Sequence, residues 1–215
     1  MIRYFIIFGA SGDLTSSYLL PTLAQLRQEE RVGADIQILG IAPEDWDTAF
    51  FQNYIRAKLK LHVRDVVEVW TNDLSSRLEY RKANVTKPEQ VQAALASGSD
   101  AAVLYLALPP GVLLPALRSI RAARVPEGSR IVLEKPFGTD RQSARQGFSE
   151  KALFRMDHFL GKQTVQSILG SAISAPASAV KAGLDIPLNA GPWPSPSSRK
   201  CGRELSRPRQ KCLAP

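Results

Sequence analysis

The feature that most constrains the fold is an alternation, over residues 1–146, of short apolar runs with longer helix-forming stretches. The apolar runs predict five strands, over Arg3–Phe8, Ile36–Ile41, Leu78–Tyr80, Ala102–Leu106 and Arg130–Leu133. The stretches between them predict four helices, over Leu14–Glu30, Trp46–Val69, Lys87–Ala96 and Val112–Ala123. Strands that are apolar on both faces are typical of a parallel sheet covered by helices on both sides. The sequence therefore predicts a doubly wound α/β domain.

The composition changes after Gly170. Residues 171–215 hold seven of the fifteen prolines and seven serines, without a helical or strand period. Such a segment buries too little apolar surface to offset the entropy lost on ordering. We expect one domain over residues 1–146, the start of a truncated second domain over 147–170, and a disordered tail over 171–215.

The net charge of +8 is concentrated in that tail. Residues 171–215 carry seven Lys or Arg against Asp185 and Glu204, which is +5 of the total. Trp193 is the only aromatic residue among these charges, so nucleic-acid binding is not predicted. Cys201 and Cys212 are separated by ten residues, a spacing that fits no zinc pattern, and no metal site is predicted.

Membrane insertion is not predicted either. The longest uncharged stretch, Ala101–Leu117, is short for a span and is interrupted by prolines and a glycine. The apolar run that opens the chain is too short for a signal peptide. We expect a cytoplasmic protein.

A glycine-containing turn directly follows the first strand. Glycines at such a turn let the backbone approach a pyrophosphate, which then lies at the N-terminus of the following helix. The candidate cofactor-binding residues are Gly9, Ala10, Ser11, Gly12, Asp13 and Leu14. The spacing is G-x-x-G rather than G-x-G-x-x-G, so a tight turn without a ligand is the alternative.

Two further motifs follow later strands, at the sheet edge where ligands bind in open α/β folds. The motif Tyr105–Pro110 has two interpretations: Pro109 forms a rigid turn beside a cofactor, or the prolines only end the strand. Glu134–Gly138 contains Lys135, whose ammonium can reach a substrate oxygen or phosphate. Pro136 permits a cis peptide that would aim this lysine.

A fourth motif spans Arg155–Gln166. Asp157, His158 and Lys162 combine a carboxylate, an imidazole and an ammonium within six positions, which suits a phosphorylated, hydroxylated ligand. A polar helix start punctuated by Gly161 is the alternative.

In this order and at these distances, the four motifs resemble glucose-6-phosphate dehydrogenase over residues 1–170. The resemblance implies a Rossmann-like fold in which Gly9–Leu14 cradle the NADP pyrophosphate. It also implies that Lys135 contacts both cofactor and sugar, and that His158 and Lys162 hold the sugar phosphate. Asp157 would orient a catalytic histidine. The implied reaction transfers hydride from C1 of glucose 6-phosphate to the nicotinamide and yields 6-phosphogluconolactone.

Three departures from the family pattern matter. Pro43 stands where the family places an arginine for the adenosine 2′-phosphate, and Glu44 and Asp45 follow it, which leaves NAD as an alternative to NADP. The stretch Arg145–Phe154 is shorter than the family's helix and return strand by about two helical turns. The tail replaces the family's large sheet domain, so we expect a truncated or frameshifted product. A catalytically inactive nucleotide-binding fragment is the alternative function, and the oligomeric state is left open.

Overall fold

The computed structural model describes residues 2–62, 68–96, 100–134, 153–156 and 173. Six strands form one parallel sheet in the order β3-β2-β1-β4-β5-β6. The strands are β1 (Tyr4–Phe8), β2 (Gln37–Ala42), β3 (Leu78–Lys82), β4 (Ala102–Leu106), β5 (Arg130–Glu134) and β6 (Leu153–Met156). From β1, strands β2 and β3 follow on one side of the sheet, and strands β4, β5 and β6 follow on the other side. This is the doubly wound order, and the predicted fold class is confirmed.

Helices connect the strands. A π-helical turn over Thr15–Leu19 leads into α1. The α-helices are α1 (Leu20–Gln28), α2 (Thr48–His62), α3 (Glu68–Ser76), α4 (Pro88–Leu95) and α5 (Pro110–Ala122). Within the described ranges, none of these helices has the length and apolar character needed to cross a membrane.

Both faces of the sheet are buried. Along β1, Phe5 and Ile7 belong to one apolar cluster, which includes side chains of α1, α2 and α3. Ile6 and Phe8 belong to a second cluster, formed with α4 and α5. Successive strand residues point to opposite faces, so a strand covered on both sides is apolar at every position. This explains the continuous apolar runs in the sequence.

The first predicted helix, Leu14–Glu30, differs in its opening turn. The Leu20 N–H donates to the Thr15 carbonyl, five residues back, which widens this turn to a π-helix. Pro21 follows at the start of α1. Proline lacks an N–H and is best tolerated in the first turn of a helix, where the missing bond costs least.

The helix predicted over Trp46–Val69 overlaps two helices in the described part of the chain, α2 up to His62 and α3 from Glu68, and residues 63–67 between them lie outside the described residues. The sequence of α3 contains Thr, Asn, Asp and Ser, which are weak helix formers. Its stability comes from packing, because Thr71, Leu74 and Ser75 are buried. The Ser75 hydroxyl donates to the Thr71 carbonyl at 2.6 Å, which satisfies it inside the core.

Strand β6 is absent from the sequence-based prediction. It pairs in parallel with β5, with Leu153 opposite Ile131, and extends the sheet to Met156. Its four residues include Arg155, so they give too short an apolar run to be recognised as a strand.

An ion-pair network joins α3 to its neighbours. Asp73 Oδ1 accepts from Nη2 of Arg77 at 2.8 Å and from its Nε at 3.1 Å. Asp73 Oδ2 lies 3.5 Å from Nε of Arg27 on α1. The hydrogen bonds from Arg77 hold the pKa of Asp73 below its ordinary value of 3.8, against the opposing effect of partial burial.

We predict that Asp73→Asn lowers the free energy of unfolding at pH 7 by about 0.5–1 kcal/mol, a modest amount because these groups are partly exposed and screened. The folded-state pKa is depressed, so the contribution is present above the unfolded-state value and is lost as pH falls through the folded one. Chemical denaturation at pH 7 and pH 3 measures the difference, with the exposed Glu127→Gln as a control. If Asp73→Asn lowered the free energy of unfolding by the same amount at pH 7 and at pH 3, the ionised Asp73 would not be the source of the stability.

Candidate functional site

The strand order changes direction between β1 and β4. The connections that leave their carboxyl ends run to opposite faces of the sheet, which opens a crevice there. The glycine turn after β1 and the segment Ala107–Pro109 after β4 border this crevice. The candidate site is therefore built from two turns that follow neighbouring strands at one edge of the sheet.

Gly9 fixes the first of these turns. Its φ is +86°, a left-handed conformation that glycine adopts without strain. A Cβ at this position would lie 2.2 Å from the Ala107 carbonyl oxygen and 3.3 Å from Cδ2 of Leu108. No side chain fits between the turn and β4, so the backbones of the two segments are in direct contact.

The turn is also bonded to β2. The N–H groups of Gly9 and Ala10 both donate to the Ile41 carbonyl, at 2.9 and 3.2 Å. Gly40 lies beneath them, where a Cβ would meet Cβ of Ala10 at 2.8 Å and the Phe51 ring at 2.9 Å. The close approach of β2 to the turn thus requires a second glycine.

The helix begins immediately after the turn. The Gly12 N–H and the Thr15 hydroxyl both donate to the Gly9 carbonyl, at 3.1 and 3.2 Å, and the Ser16 N–H donates to the Gly12 carbonyl at 3.3 Å. The first N–H groups of a helix have no partner within it and carry the positive end of its dipole. A turn of this kind can hold an anion. Within it, Gly9 is closed off by the Ala107 carbonyl, whereas Gly12 is exposed.

The β4 side presents a second helix start. The Ala107 N–H donates to the Phe8 carbonyl at 2.9 Å, which continues the ladder past the last strand residue. Pro109 is exposed, with φ −58° and ψ 149°, and caps α5, which begins at Pro110. Two helix N-termini therefore lie at the carboxyl edge on either side of the β1–β4 switch point.

The carboxyl end of β2 carries acidic residues. The Tyr80 hydroxyl donates to the carbonyls of Ala42 and Glu44, at 3.2 and 2.9 Å, and so fixes the turn that follows β2. Burial, with the negative charges of Glu44 and Asp45, raises the pKa of Tyr80 to about 12. Nζ of Lys82 lies 2.9 Å from Oδ1 of Asp45.

The structure brings together the candidate residues that it describes. One continuous turn contains Gly9, Ala10, Ser11, Gly12, Asp13 and Leu14, and Pro109 lies in the adjacent segment after β4. The remaining candidates lie outside the described residues: Lys135, Asp157, His158 and Lys162. Two contributors were missed from the sequence, Gly40 and Thr15. Glycine inside a predicted strand signals close approach of another backbone and could have identified Gly40.

A six-stranded parallel sheet in this order, with a glycine turn at its switch point, defines a dinucleotide-binding domain of the doubly wound class. A family model described as glucose-6-phosphate dehydrogenase, NAD binding domain, matches residues 6–167. The chain belongs to this family, and its cofactor class is a nicotinamide dinucleotide. The resemblance noted from the four motifs is confirmed.

Similar proteins support the assignment. Glucose-6-phosphate 1-dehydrogenase of Mycolicibacterium smegmatis is 36% identical over 187 residues, which cover 77% of this chain and 37% of that protein. The Schizosaccharomyces pombe protein of the same name is 31% identical over 182 residues, covering 76% of this chain and 36% of its own length. This chain therefore spans a little over a third of the length of the relatives it matches.

Solved structures agree in fold. Glucose-6-phosphate 1-dehydrogenase from Mycobacterium avium superimposes with a TM-score of 0.64 at 27% identity, over 74% of this chain and 36% of that one. A glucose-6-phosphate dehydrogenase in complex with its substrate glucose-6-phosphate gives a TM-score of 0.58 at 27% identity, over 73% of this chain and 37% of that one.

We predict that Gly9→Ala strongly destabilises the domain. A left-handed backbone costs a residue with a Cβ about 1–2 kcal/mol, and the overlap with Ala107 adds to that cost. Gly111→Ala is the matched control, because a Cβ there meets nothing within 4 Å. It should leave stability unchanged or raise it by up to about 1 kcal/mol through helix propensity. Thermal and chemical denaturation measure both variants, and equal stabilities would refute the close contact at Gly9.

Proposed function

We propose that this chain supplies the cofactor-binding part of an oxidoreductase that oxidises glucose 6-phosphate to 6-phosphogluconolactone with a nicotinamide dinucleotide. Membership of the family over residues 6–167 supports this, because that range includes both the glycine turn and the DHFLGK segment. The observation that carries the proposal is the Gly9 turn, which is clamped between β2 and β4 at the switch point of the sheet.

The pyrophosphate of the cofactor is proposed to bind at residues 9–14. Backbone N–H groups at the start of the π-helical turn and the positive end of the helix dipole favour the negative charge. Gly12 is exposed, and a Cβ there would meet only the Gly9 carbonyl oxygen, at 3.3 Å. The absence of a side chain leaves the backbone open to close approach. Pro109 is proposed to border the same ligand from the β4 side.

Two residues proposed to act on the sugar substrate directly follow strands β5 and β6. Lys135 directly follows Glu134, the last residue of β5, and Asp157 directly follows Met156, the last residue of β6. By the family resemblance, Lys135 contacts cofactor and sugar, and His158 and Lys162 bind the sugar phosphate. When bound, the nicotinamide accepts the hydride that leaves C1, while a base takes the proton of the C1 hydroxyl. The proposed role of Asp157 is to orient that base.

The family resemblance favours NADP as the cofactor, and the carboxyl end of β2 determines whether NAD is used instead. This end lies beside the glycine turn because the Ile41 carbonyl accepts from both Gly9 and Ala10. In doubly wound domains the adenosine ribose is recognised at this position, by a carboxylate for NAD or by a basic side chain for NADP.

A second candidate function, nucleotide binding without turnover, is favoured by the histidine content. The chain has two histidines. His62 is the last residue of α2, and His158 is proposed to bind the sugar phosphate. Neither is assigned as the base that Asp157 would orient.

We predict that Gly12→Val weakens dinucleotide binding while the domain stays folded, because the added side chain keeps the pyrophosphate away from the backbone. Isothermal titration with NAD and with NADP gives the dissociation constants, and circular dichroism reports the fold. Ala96→Val is the control, since Ala96 is exposed at the end of α4, before the chain enters β4. Unchanged affinity in a folded Gly12→Val protein would remove the turn from the binding site.

We also predict that the purified chain binds dinucleotide but forms lactone from glucose 6-phosphate far more slowly than an active dehydrogenase. A positioned general base typically contributes about a hundred- to ten-thousand-fold to such a rate. Absorbance at 340 nm follows reduction of the nicotinamide. Preparations from a host strain that lacks its own dehydrogenase provide the control. Rapid turnover in such a preparation would show that the chain contains its own base.

A further inference from the structure

We propose that a cavity at the amino-terminal ends of the strands binds a small, uncharged and largely apolar molecule that carries a hydrogen-bond acceptor. The cavity lies on the face of the sheet that α4 and α5 cover, at the opposite edge from the glycine turn. It shares no residue with that turn, so the two sites are tested separately.

The cavity arises because α4 is shorter than the strands beneath it. Its eight residues give about 12 Å of helix, whereas a five-residue strand extends over about 16 Å. α4 packs on the sheet through Val91 and Ala94, and the helix ends at Leu95. The apolar cluster below it is therefore incompletely covered. The cavity is lined by four of its partly buried side chains: Tyr4, Leu39, Leu95 and Val125.

Three aliphatic side chains from neighbouring strands form the floor of the cavity. Ile6 lies opposite Leu39 on one side and opposite Leu104 on the other. The volume is about 70 Å³, and the cavity is partly open to solvent. An apolar cavity of about 150 Å³ encloses a whole benzene ring. This one therefore takes the edge of a ring or a branched aliphatic group, and the rest of the ligand lies at the rim.

Ser129 supplies a hydrogen-bond donor at one wall. It is 8% exposed, and it lines the cavity together with Ala102. The Ser129 hydroxyl oxygen accepts from the Ala102 N–H at 3.1 Å, and no acceptor within the described ranges takes its proton. A hydroxyl can donate one hydrogen bond while it accepts another. An acceptor on the ligand would complete the bonding of this buried group.

Charged groups at the opposite wall favour a neutral ligand. Arg81 donates twice to Glu79, at 2.9 and 2.6 Å, and once to the Ala94 carbonyl at 2.7 Å, which joins β3 to the end of α4. Glu79 thus neutralises the guanidinium, and Asp100 adds a second carboxylate to the lining. An anion would meet this negative charge, whereas a neutral acceptor does not. A cationic group would leave the Ser129 hydroxyl without an acceptor.

Acetophenone and benzoate are a matched pair of probes, with a neutral acetyl group and an anionic carboxylate on the same ring. Each is titrated into the isotope-labelled full chain, and the NMR shifts of the Ala94, Ala102 and Ser129 amides are followed. We expect saturable shifts with acetophenone and a dissociation constant on the order of 1 mM. Benzoate should bind at least about tenfold more weakly. Shifts that do not saturate with acetophenone overturn the site, and equal affinity for benzoate overturns the selection of a neutral ligand.

Variants that fill the cavity locate the binding. Ala94→Leu fills it from α4 and Val125→Phe from the wall after α5, and each should weaken acetophenone binding by at least about tenfold. Ala93→Leu is the matched control, because Ala93 is the preceding residue of α4 and is exposed. Ser129→Ala adds no volume and should weaken binding by about fivefold through the lost donor.

Circular dichroism reports whether each variant is folded. Wild-type affinity in a folded Ala94→Leu or Val125→Phe protein overturns the cavity as the site, as does an equal loss of affinity in Ala93→Leu. Wild-type affinity in Ser129→Ala overturns the role of its hydroxyl.

Discussion

The architecture of the site depends on the missing side chain of Gly9. Its φ is +86°, and a Cβ at this position would lie only 2.2 Å from the Ala107 carbonyl oxygen. Only glycine therefore lets the end of β1 contact the segment after β4. The same residue donates its N–H to the Ile41 carbonyl and accepts from Gly12 and Thr15 through its own carbonyl. One position therefore sets the spacing of three strands and the direction of the first helix.

The rest of the domain holds that turn in place. The central strands are buried on both faces, so β1, β2 and β4 cannot shift without disturbing two apolar clusters. At the carboxyl edge, the absence of a side chain at Gly40 lets Ala10 and the Phe51 ring pack against it. The Tyr80 hydroxyl is hydrogen-bonded to the turn after β2. If a phosphorylated cofactor binds at this edge as proposed, the turn needs little further ordering on binding, because these contacts already fix it.

Much of this could be predicted from the sequence, because buried parallel strands produce unmistakable apolar runs. The bounds of β4 were predicted without error, and those of β1, β2 and β5 to within one residue. The glycine turn was recognised from its position between a strand and a helix. Helix α3 and strand β6 were missed because their sequences carry no strong signal. Tertiary packing stabilises α3 despite its weak helix formers, and β6 is too short to show an apolar period.

The finer chemistry of the site needed coordinates. The sequence identified Pro43, Glu44 and Asp45 as a departure from the family pattern, but not the pairing of Lys82 with Asp45 or the unsatisfied oxygen of Glu44. These depend on contacts between β2 and β3, which lie about forty residues apart in the chain. Likewise, the role of Gly40 follows from the Phe51 ring packed against it, which sequence spacing alone does not reveal.

We propose that the two turns at the β1–β4 switch point form one dinucleotide site. Hydrogen–deuterium exchange of the chain, with and without saturating NAD or NADP, tests it most directly. We expect bound cofactor to slow exchange in residues 9–16 and 107–112 together, and to leave exchange unchanged at residues 126–129, on the opposite edge of the sheet. Protection in only one of the two turns, or at the opposite edge, would contradict it.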